Sequence, residues 1–221
     1  MKNKYSILLL LLLLLFQNVF GQVYKWKNNE FGLTYKVQMD SNYIIETVYK
    51  NNPTQFVSTR GGFYESNNDV LDIKFEFNSN YSNDSIVEIE YTIPEKAKKV
   101  SNSKLELDGK WLMAGRVNPD GKEMRRDTSR SRKTLKFLVD GFFQWTAFNT
   151  ETFQFYGCGG GKYSASGGEY KESIVYFSRD NSRSGKTLKF NYKKNENDWY
   201  HNGFSSKGKP LHEIWTLRIT K

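Results

Sequence analysis

The chain has 221 residues and a formal net charge of +9, and 16% of its residues are aromatic. That aromatic content argues against a disordered chain, because it supplies enough apolar surface to offset the entropy of ordering. One cysteine and two histidines, His201 and His212, exclude an internal disulfide framework and a cysteine-rich metal site. They also disfavour a histidine-based metal centre or catalytic relay, so we expect no metal and no cofactor.

The first 21 residues predict an export leader. Lys2 and Lys4 precede a ten-residue apolar run, Ile7–Phe16, and Val19 and Gly21 suit the −3 and −1 positions of a signal-peptide cut. As a helix the run is about 15 Å long, roughly half of a bilayer core. We expect cleavage after Gly21, with a retained anchor as the alternative; no cysteine follows the run, which excludes a lipoprotein anchor. Cleavage lowers the charge to +7 and predicts a secreted, periplasmic or cell-envelope protein without a transmembrane span.

The remainder predicts an all-β protein. Short aromatic and β-branched runs are separated by glycine, asparagine and serine at intervals typical of antiparallel sandwiches and barrels. Segments 71–77 and 135–139 alternate between two sets of side chains, which predicts one face on a core and one face in water. No significant helix is expected after the leader, and the short segment Pro94–Val100 resembles a linker.

The chain also aligns with itself. Residues 35–49 match residues 135–149, and residues 55–64 match residues 154–163. This periodicity predicts two tandem copies of one antiparallel β-meander or small barrel. The predicted organisation is a leader (1–21), a degenerate first copy (22–98), a linker (99–106) and a second copy (107–221). The first copy lacks a comparable tryptophan-bearing closing strand, so it is a shortened barrel or borrows a strand; a single fused barrel or sandwich is the alternative.

Several short motifs recur in the second copy: L-x-G-x-W at Leu107–Trp111, D-G-x-F-x-W at Asp140–Trp145, G-G-G-x-Y at Gly159–Tyr163, Y-x-E-x-I at Tyr170–Ile174, S-R-D-N-S at Ser178–Ser182 and E-x-W at Glu213–Trp215. Together they resemble the small lipocalin-like domains exported by Bacteroidetes-type bacteria, some of which carry two such domains. The resemblance implies an eight-stranded up-and-down barrel, and it implies no established substrate or enzyme activity. Such a barrel is just wide enough inside for packed side chains or one small ligand.

Aromatic and acidic residues on the expected inward face of the second copy form a tentative ligand site. They are Trp145, Tyr163, Tyr170, Glu172, Tyr176, Glu213 and Trp215. These side chains either line a pocket or fill the barrel as packed core. The two carboxylates suit a cationic or hydroxylated ligand, or they belong to a structural network with Arg179, Arg218 or tyrosine hydroxyls.

A basic loop joins the first two strands of the second copy. Its cations are Arg116, Lys122, Arg125, Arg126, Arg130, Arg132 and Lys133. This loop either meets an anionic envelope component at a barrel mouth or is solvated and mobile. It has no interleaved exposed aromatics, so no specific nucleic acid is expected.

The glycine run Gly157–Gly161 predicts a bulge or sharp bend, since Tyr163 follows Lys162 where a phosphate loop needs serine or threonine. Cys158, within that run, is expected to be a buried small hydrophobe. The favoured function is a non-enzymatic, exported binding module that takes a small lipophilic or aromatic ligand in the second barrel. The alternative is a structural or interaction protein of the cell envelope, and a hydrolase built on Glu172 and Glu213 is the weakest hypothesis.

Overall fold

The structure is a computed structural model that describes residues 21–101 and 103–219. Residues 1–20, on which the leader prediction falls, lie outside this range. The chain is all-β, as predicted, with one short helix (Tyr81–Asp84) and one 3-10 turn (Asn181–Arg183) in the described ranges. None of the helical segments described is long and apolar enough to span a bilayer.

Residues 22–99 form an open antiparallel sheet of seven strands, with β1 and β7 at one side and β6 at the other. The strands are β1 (Gln22–Asn28), β2 (Leu33–Met39), β3 (Tyr43–Asn51), β4 (Thr54–Asn67), β5 (Val70–Asn78), β6 (Glu88–Tyr91) and β7 (Lys98–Lys99).

The two edges of this sheet, β6 and β7, are joined directly by residues 92–97. The connection from Tyr91 to Lys98 reaches at most about 25 Å when extended, whereas seven flat strands place their edges about 29 Å apart. The sheet is therefore curled, and Ile93 and Ala97 pack against the core on its concave side. The predicted linker 99–106 begins inside this sheet, since Lys99 pairs with Tyr24 and Val100 donates its N–H to the Val23 carbonyl.

Residues 109–217 form a closed barrel of eight antiparallel strands, with β8 pairing to both β16 and β10 and the short β9 branching from β8. The strands are β8 (Gly109–Val117), β9 (Glu123–Arg125), β10 (Arg132–Val139), β11 (Phe142–Asn149), β12 (Phe155–Ser166), β13 (Glu169–Phe177), β14 (Thr187–Asn195), β15 (Asp198–Phe204) and β16 (Pro210–Leu217).

One wall of the barrel is buried on both faces, because the first sheet packs on its outside. On β10, Leu135 and Phe137 face the first sheet, while Lys136 and Leu138 face the barrel lumen. The prediction of one solvated face for residues 135–139 is therefore wrong. Lys136 and Leu138, which were predicted to face water, lie in the core inside the barrel.

Both sheets carry β-bulges at matching places. Pairing slips between Gly61 and Gly62 opposite the extra residue Glu76, and between Gly160 and Gly161 opposite Val175. At Gly161 a Cβ atom would lie 1.9 Å from the Ser173 carbonyl oxygen, so only glycine fits. The two bulges fall at positions that match when the sequence is aligned with itself. That the two units are copies of one meander stays a prediction.

A chain of hydrogen bonds between buried polar side chains links the sheet to the barrel wall. Gln144 Nε2 donates to Thr59 Oγ1 at 3.0 Å, and Thr47 Oγ1 donates to Gln144 Oε1 at 2.7 Å. Gln38 Nε2 donates to the carbonyls of Phe137 (2.8 Å) and Phe142 (3.2 Å). Because such groups are costly when unpaired, these bonds fix one docking register between the two units.

Two ion pairs tie the same units at their margins. Arg218 holds the Glu76 carboxylate through two hydrogen bonds of 2.7 Å, and Lys110 bonds to Asp40. The Arg218 pair has the bidentate geometry that makes arginine–carboxylate contacts strong.

Lys36 lies within the interface, almost fully buried, and donates to Gln38 Oε1 (3.1 Å) and Tyr176 OH (2.6 Å). Burial, assisted by the positive charge of Lys25, lowers the pKa of this ammonium well below its ordinary value of 10.5. The unfolded chain therefore binds this proton more tightly than the folded chain does. At neutral pH this difference lowers the free energy of unfolding.

We expect Lys36→Met to be more stable than the wild type at neutral pH, with an advantage that shrinks as the pH rises toward 10. Above the pKa of Lys36 in the unfolded chain, this side chain is neutral in both states. The free-energy cost of burying or deprotonating it on folding then disappears. Urea unfolding between pH 7 and pH 10 should show the difference in unfolding free energy falling by at least about 1 kcal/mol. Lys27→Met, at an exposed position, is the control, and a pH-independent difference for Lys36→Met contradicts the prediction.

Candidate functional site

The two ends of the barrel differ in construction. Turns of two residues, at 140–141, 167–168 and 196–197, join strands at one end, which we call the closed end. The other end, which we call the open end, carries the longer connections 118–131, 150–154, 178–186 and 205–209. Any ligand reaching the lumen has its route at the open end, because of the plug described next.

The segment 105–108 plugs the closed end. Leu107 is fully buried, and its carbonyl accepts a hydrogen bond from Trp111 Nε1 at 2.8 Å. Tyr163 donates to the Asp108 carboxylate, and Tyr192 donates to Glu106 Oε2 at 2.9 Å. The segment that precedes β8 therefore closes this end of the barrel.

A buried ion pair occupies the middle of the lumen. Lys136 Nζ lies 2.8 Å from Glu172 Oε1, and the Tyr170 hydroxyl donates to the same oxygen at 2.9 Å. The Lys136 ammonium also lies 4.7 Å from the ring centroid of Trp215 and 5.1 Å from that of Trp199. Burial and the neighbouring carboxylate raise the pKa of Tyr170 well above 10, so its hydroxyl remains a donor to Glu172.

A second buried pair, formed by His201 and Glu213, lies nearer the open end. His201 Nδ1 is 3.7 Å from Glu213 Oε2, and Trp215 Nε1 donates to that oxygen at 3.2 Å. Burial lowers the pKa of His201 well below 6.5, helped by the charge of Lys136. Burial also raises the pKa of Glu213. In the part of the chain described, His201 Nδ1 and Trp199 Nε1 are buried without a hydrogen-bond partner.

Beyond this layer the open end keeps apolar side chains only half-buried. Trp145 and Phe177 meet edge to face with ring centroids 5.3 Å apart, and Leu188 and Leu211 pack against the same core. A groove of about 770 Å³ between the loops at 118–121 and 205–209 reaches Leu211 and Glu213. Apolar surface of this kind, left inside a barrel mouth, suits a small ligand.

Arginines surround this apolar floor. We call four of them the rim arginines: Arg116, Arg126, Arg132 and Arg179. Arg116 sits opposite Glu213 on the neighbouring strand. The Arg126 guanidinium donates to the Met113 carbonyl, and burial together with the charge of Arg116 lowers its pKa.

The other two rim arginines meet at Tyr156. Arg132 lies over the Tyr156 ring at 4.4 Å, and Arg179 Nε donates to the Tyr156 carbonyl at 2.6 Å. Within the described ranges, none of the four rim arginines has a carboxylate within ion-pair distance. The mouth therefore presents an excess of positive charge above an apolar floor, with the Glu213 carboxyl opposite Arg116.

The structure divides the predicted lumen residues into three groups. Tyr163, Tyr170, Glu172 and Trp215 are buried in the plugged and central layers, whereas Trp145 and Glu213 reach the open end. Tyr176 is on the other side of the wall, stacked on Tyr49 at 5.2 Å and bonded to Gln144 and Lys36. Its predicted inward placement is wrong, because the bulge at Val175 shifts the alternation by one residue.

The predicted basic loop is also divided. Arg116, Arg126 and Arg132 belong to the rim, whereas Arg125 on β9 is tied to Asp198 (2.8 Å) and Glu123 (2.7 Å) on the outer surface. Lys133 folds back onto the carbonyls of Thr128 and Arg130, and Lys122 and Arg130 lie exposed in the loop. The loop thus contributes three of its seven cations to the mouth.

Sequence reasoning missed Lys136 as the partner of Glu172 and missed Arg179 as part of the rim. Arg179 and Arg218 were considered as partners for the carboxylates, but they bind Tyr156 and Glu76 instead. A lysine at an inward-facing position of β10 was the available signal for the ion pair. The sequence analysis does not identify the ion pair, because it predicts that the face of β10 with Lys136 lies in water.

Comparison of the sequence with protein-family models and with curated proteins finds no match. The resemblance to lipocalin-like exported domains therefore remains a prediction. Within the described residues, no group of three or more histidine, cysteine, aspartate or glutamate side chains is placed to hold a metal ion.

The central ion pair yields a prediction on stability. Lys136→Met leaves the Glu172 carboxylate buried without its cation and should lower the unfolding free energy by about 3–5 kcal/mol. Adding Glu172→Gln removes the stranded charge and should restore at least about 2 kcal/mol of that loss. Urea unfolding of both single variants and the double variant measures the coupling.

The control is Lys171→Met, whose partner Glu169 is half exposed at the surface; it should change stability by less than about 0.5 kcal/mol. Additive effects of Lys136→Met and Glu172→Gln would contradict the expected coupling.

Proposed function

We propose that the protein is an exported, non-enzymatic binding protein of the lipocalin-like kind. Its ligand is a small molecule with an apolar body and an anionic group, held at the open end of the barrel. The observation that carries this proposal is the set of four rim arginines around the half-buried side chains of Trp145, Phe177, Leu188 and Leu211. Among the residues that the structure describes, no carboxylate lies within ion-pair distance of these arginines.

Packing inside the barrel supports this choice of site. The plug and the layer around Lys136 and Glu172 fill the closed half, so the ligand sits in the mouth rather than deep in the lumen. Glu172 is already neutralised by Lys136 and bonded to Tyr170, which argues against its use as an acid or base. The rim arginines favour an anion over the cationic ligand that the carboxylates suggested.

Export is proposed from the leader that the sequence predicts at residues 1–21, and the proposed location is the periplasm, the cell envelope or the extracellular medium. An anionic amphiphile, such as a fatty acid or a lipid headgroup with its chain, is a ligand class that an envelope protein meets. The proposed ligand and the anionic envelope partner expected from the sequence would thus both bind at the rim arginines of the open end.

A second candidate function is a structural or interaction protein of the envelope. The observation that favours it is the filled inner half of the barrel together with the large buried interface to the first sheet. In that case the rim arginines meet an anionic partner surface and no small molecule enters the mouth.

The rim can be tested with the fluorescent probe 1-anilinonaphthalene-8-sulfonate, which combines an aromatic body with one negative charge. The wild type should bind the probe with fluorescence enhancement that falls as salt screens the rim. Arg116→Ala and Arg132→Ala should each weaken binding about tenfold, the equivalent of about 1.4 kcal/mol.

Arg130→Ala is the matched control, since Arg130 lies in the same loop and pairs only with Asp127 at 4.0 Å. Dodecanoate should displace the probe and dodecanol should not. Equal binding by the rim variants and the control, or displacement by both competitors alike, would remove the support for an anion-selective mouth. Absence of probe binding would favour the second candidate function.

Glu213 gives an independent test of the same site. Its ionised carboxylate repels an anion at the rim, so Glu213→Gln should tighten binding of the sulfonate probe about three- to tenfold at neutral pH. Because burial raises the pKa of Glu213, acidification protonates this group, and the wild-type affinity should rise toward that of the variant as the pH falls. Probe titrations between pH 7 and pH 5 measure both; a constant ratio of the two affinities would refute the role of Glu213.

A further inference from the structure

A hollow of about 390 Å³ lies on the outer face of the barrel over β14, β15 and β16. The side chains of Asn191, Asn202 and His212 stand at positions that alternate with the lumen-facing ones, and His212 also borders the groove at the open end. Three polar side chains stand side by side across it: Asn191 pairs with Asn202, and Asn202 pairs with His212. We call these three residues the amide row, and it spans two strand spacings, roughly 10 Å.

The amide row has hydrogen-bonding capacity that the described part of the chain does not use. Within the described ranges, the side chains of Asn191, Asn202 and His212 make no hydrogen bond or ion pair. Each amide offers two donors and an acceptor, and the imidazole of His212 adds a ring nitrogen of either kind. The side chains are short, so they lose little conformational entropy when they bind.

Tyr200 forms one wall of the hollow and is held in place. Its hydroxyl donates to Glu123 Oε1 at 2.8 Å and accepts from Arg125 Nη2 at 2.9 Å. Arg125 is fixed in turn by Asp198 at 2.8 Å. The hydroxyl is therefore occupied outside the row, and the ring remains as a positioned apolar surface beside the amides.

These features together select a class of ligand. A neutral molecule rich in hydroxyl groups meets the amides and the imidazole with donors and acceptors, and it lays a C–H face on an aromatic ring. Among the described residues that line the hollow, Lys193 is the only lysine, arginine or carboxylate side chain, so neither an anion nor a cation finds a complementary cluster. The span of the row matches two linked sugar rings better than a single small molecule.

We propose that the amide row and Tyr200 form a binding site for a neutral oligosaccharide on the outer face of the barrel. This site goes beyond the proposed ligand at the open end, and the two sites share His212 as a lining residue. The protein would then hold a glycan on its flank and an anionic amphiphile at its mouth.

The test is a titration of the ¹⁵N-labelled protein, followed by ¹H–¹⁵N correlation spectra, with maltotetraose, cellotetraose and N-acetylchitotetraose. At least one of these probes, at up to about 10 mM, should shift the side-chain amide signals of Asn191 and Asn202. Asn202→Ala and Tyr200→Ala should each weaken that binding at least tenfold. Thr187→Ala, on the outer face of β14 but outside the hollow, should leave that binding unchanged.

The dispersion of the spectra shows directly whether each variant is folded, and Asn202→Asp keeps the side-chain size if Asn202→Ala is impaired. The proposal is overturned if none of the three oligosaccharides shifts these signals. It is also overturned if the shifts map to the rim arginines, or if the row signals change with protein concentration alone, which would mean that a second copy of the chain covers this face. Loss of probe binding at the mouth has no bearing on this result.

Discussion

The barrel wall made by β10, β11 and β12 is buried on both faces, and the rest of the molecule follows from that constraint. One face supplies the lumen, and the other carries the first sheet through Phe137, Phe142 and Phe148. A wall without a solvated face has no inexpensive place for a polar side chain, so each one must find partners. The glutamine and threonine bonds across the interface and the Lys136–Glu172 pair inside the lumen are the two forms that this requirement takes.

The same constraint explains how far the sequence could be interpreted. The all-β class, the strand-rich second unit and the inward direction of Glu172 follow from period-2 alternation, which depends only on neighbouring residues. The side on which Tyr176 lies does not follow, because one inserted residue, Val175, reverses every position after it. Lys136 was assigned to water because alternation identifies two faces of a strand without saying what covers each one.

The rim was harder to recognise than the aromatic interior. Arg116, Arg126 and Arg132 were visible as a basic loop, but Arg179 follows a different strand and joins them only through Tyr156. Arg125 differs from these arginines because the Asp198 carboxylate, from another strand, lies within ion-pair distance of it. Such contacts over long sequence separation are set by the closure of the barrel, and local patterns do not contain them.

The six-residue connection that joins the two edges of the first sheet has a further consequence for how the protein meets other chains. An open sheet normally leaves a row of unpaired backbone groups on each side, which invites other chains to add strands. Here the outermost strands are only four and two residues long, and the connection between them draws both margins together. The protein thereby gains resistance to strand-mediated polymerisation without completing a second barrel, and the concave side of the sheet is left to pack its own core.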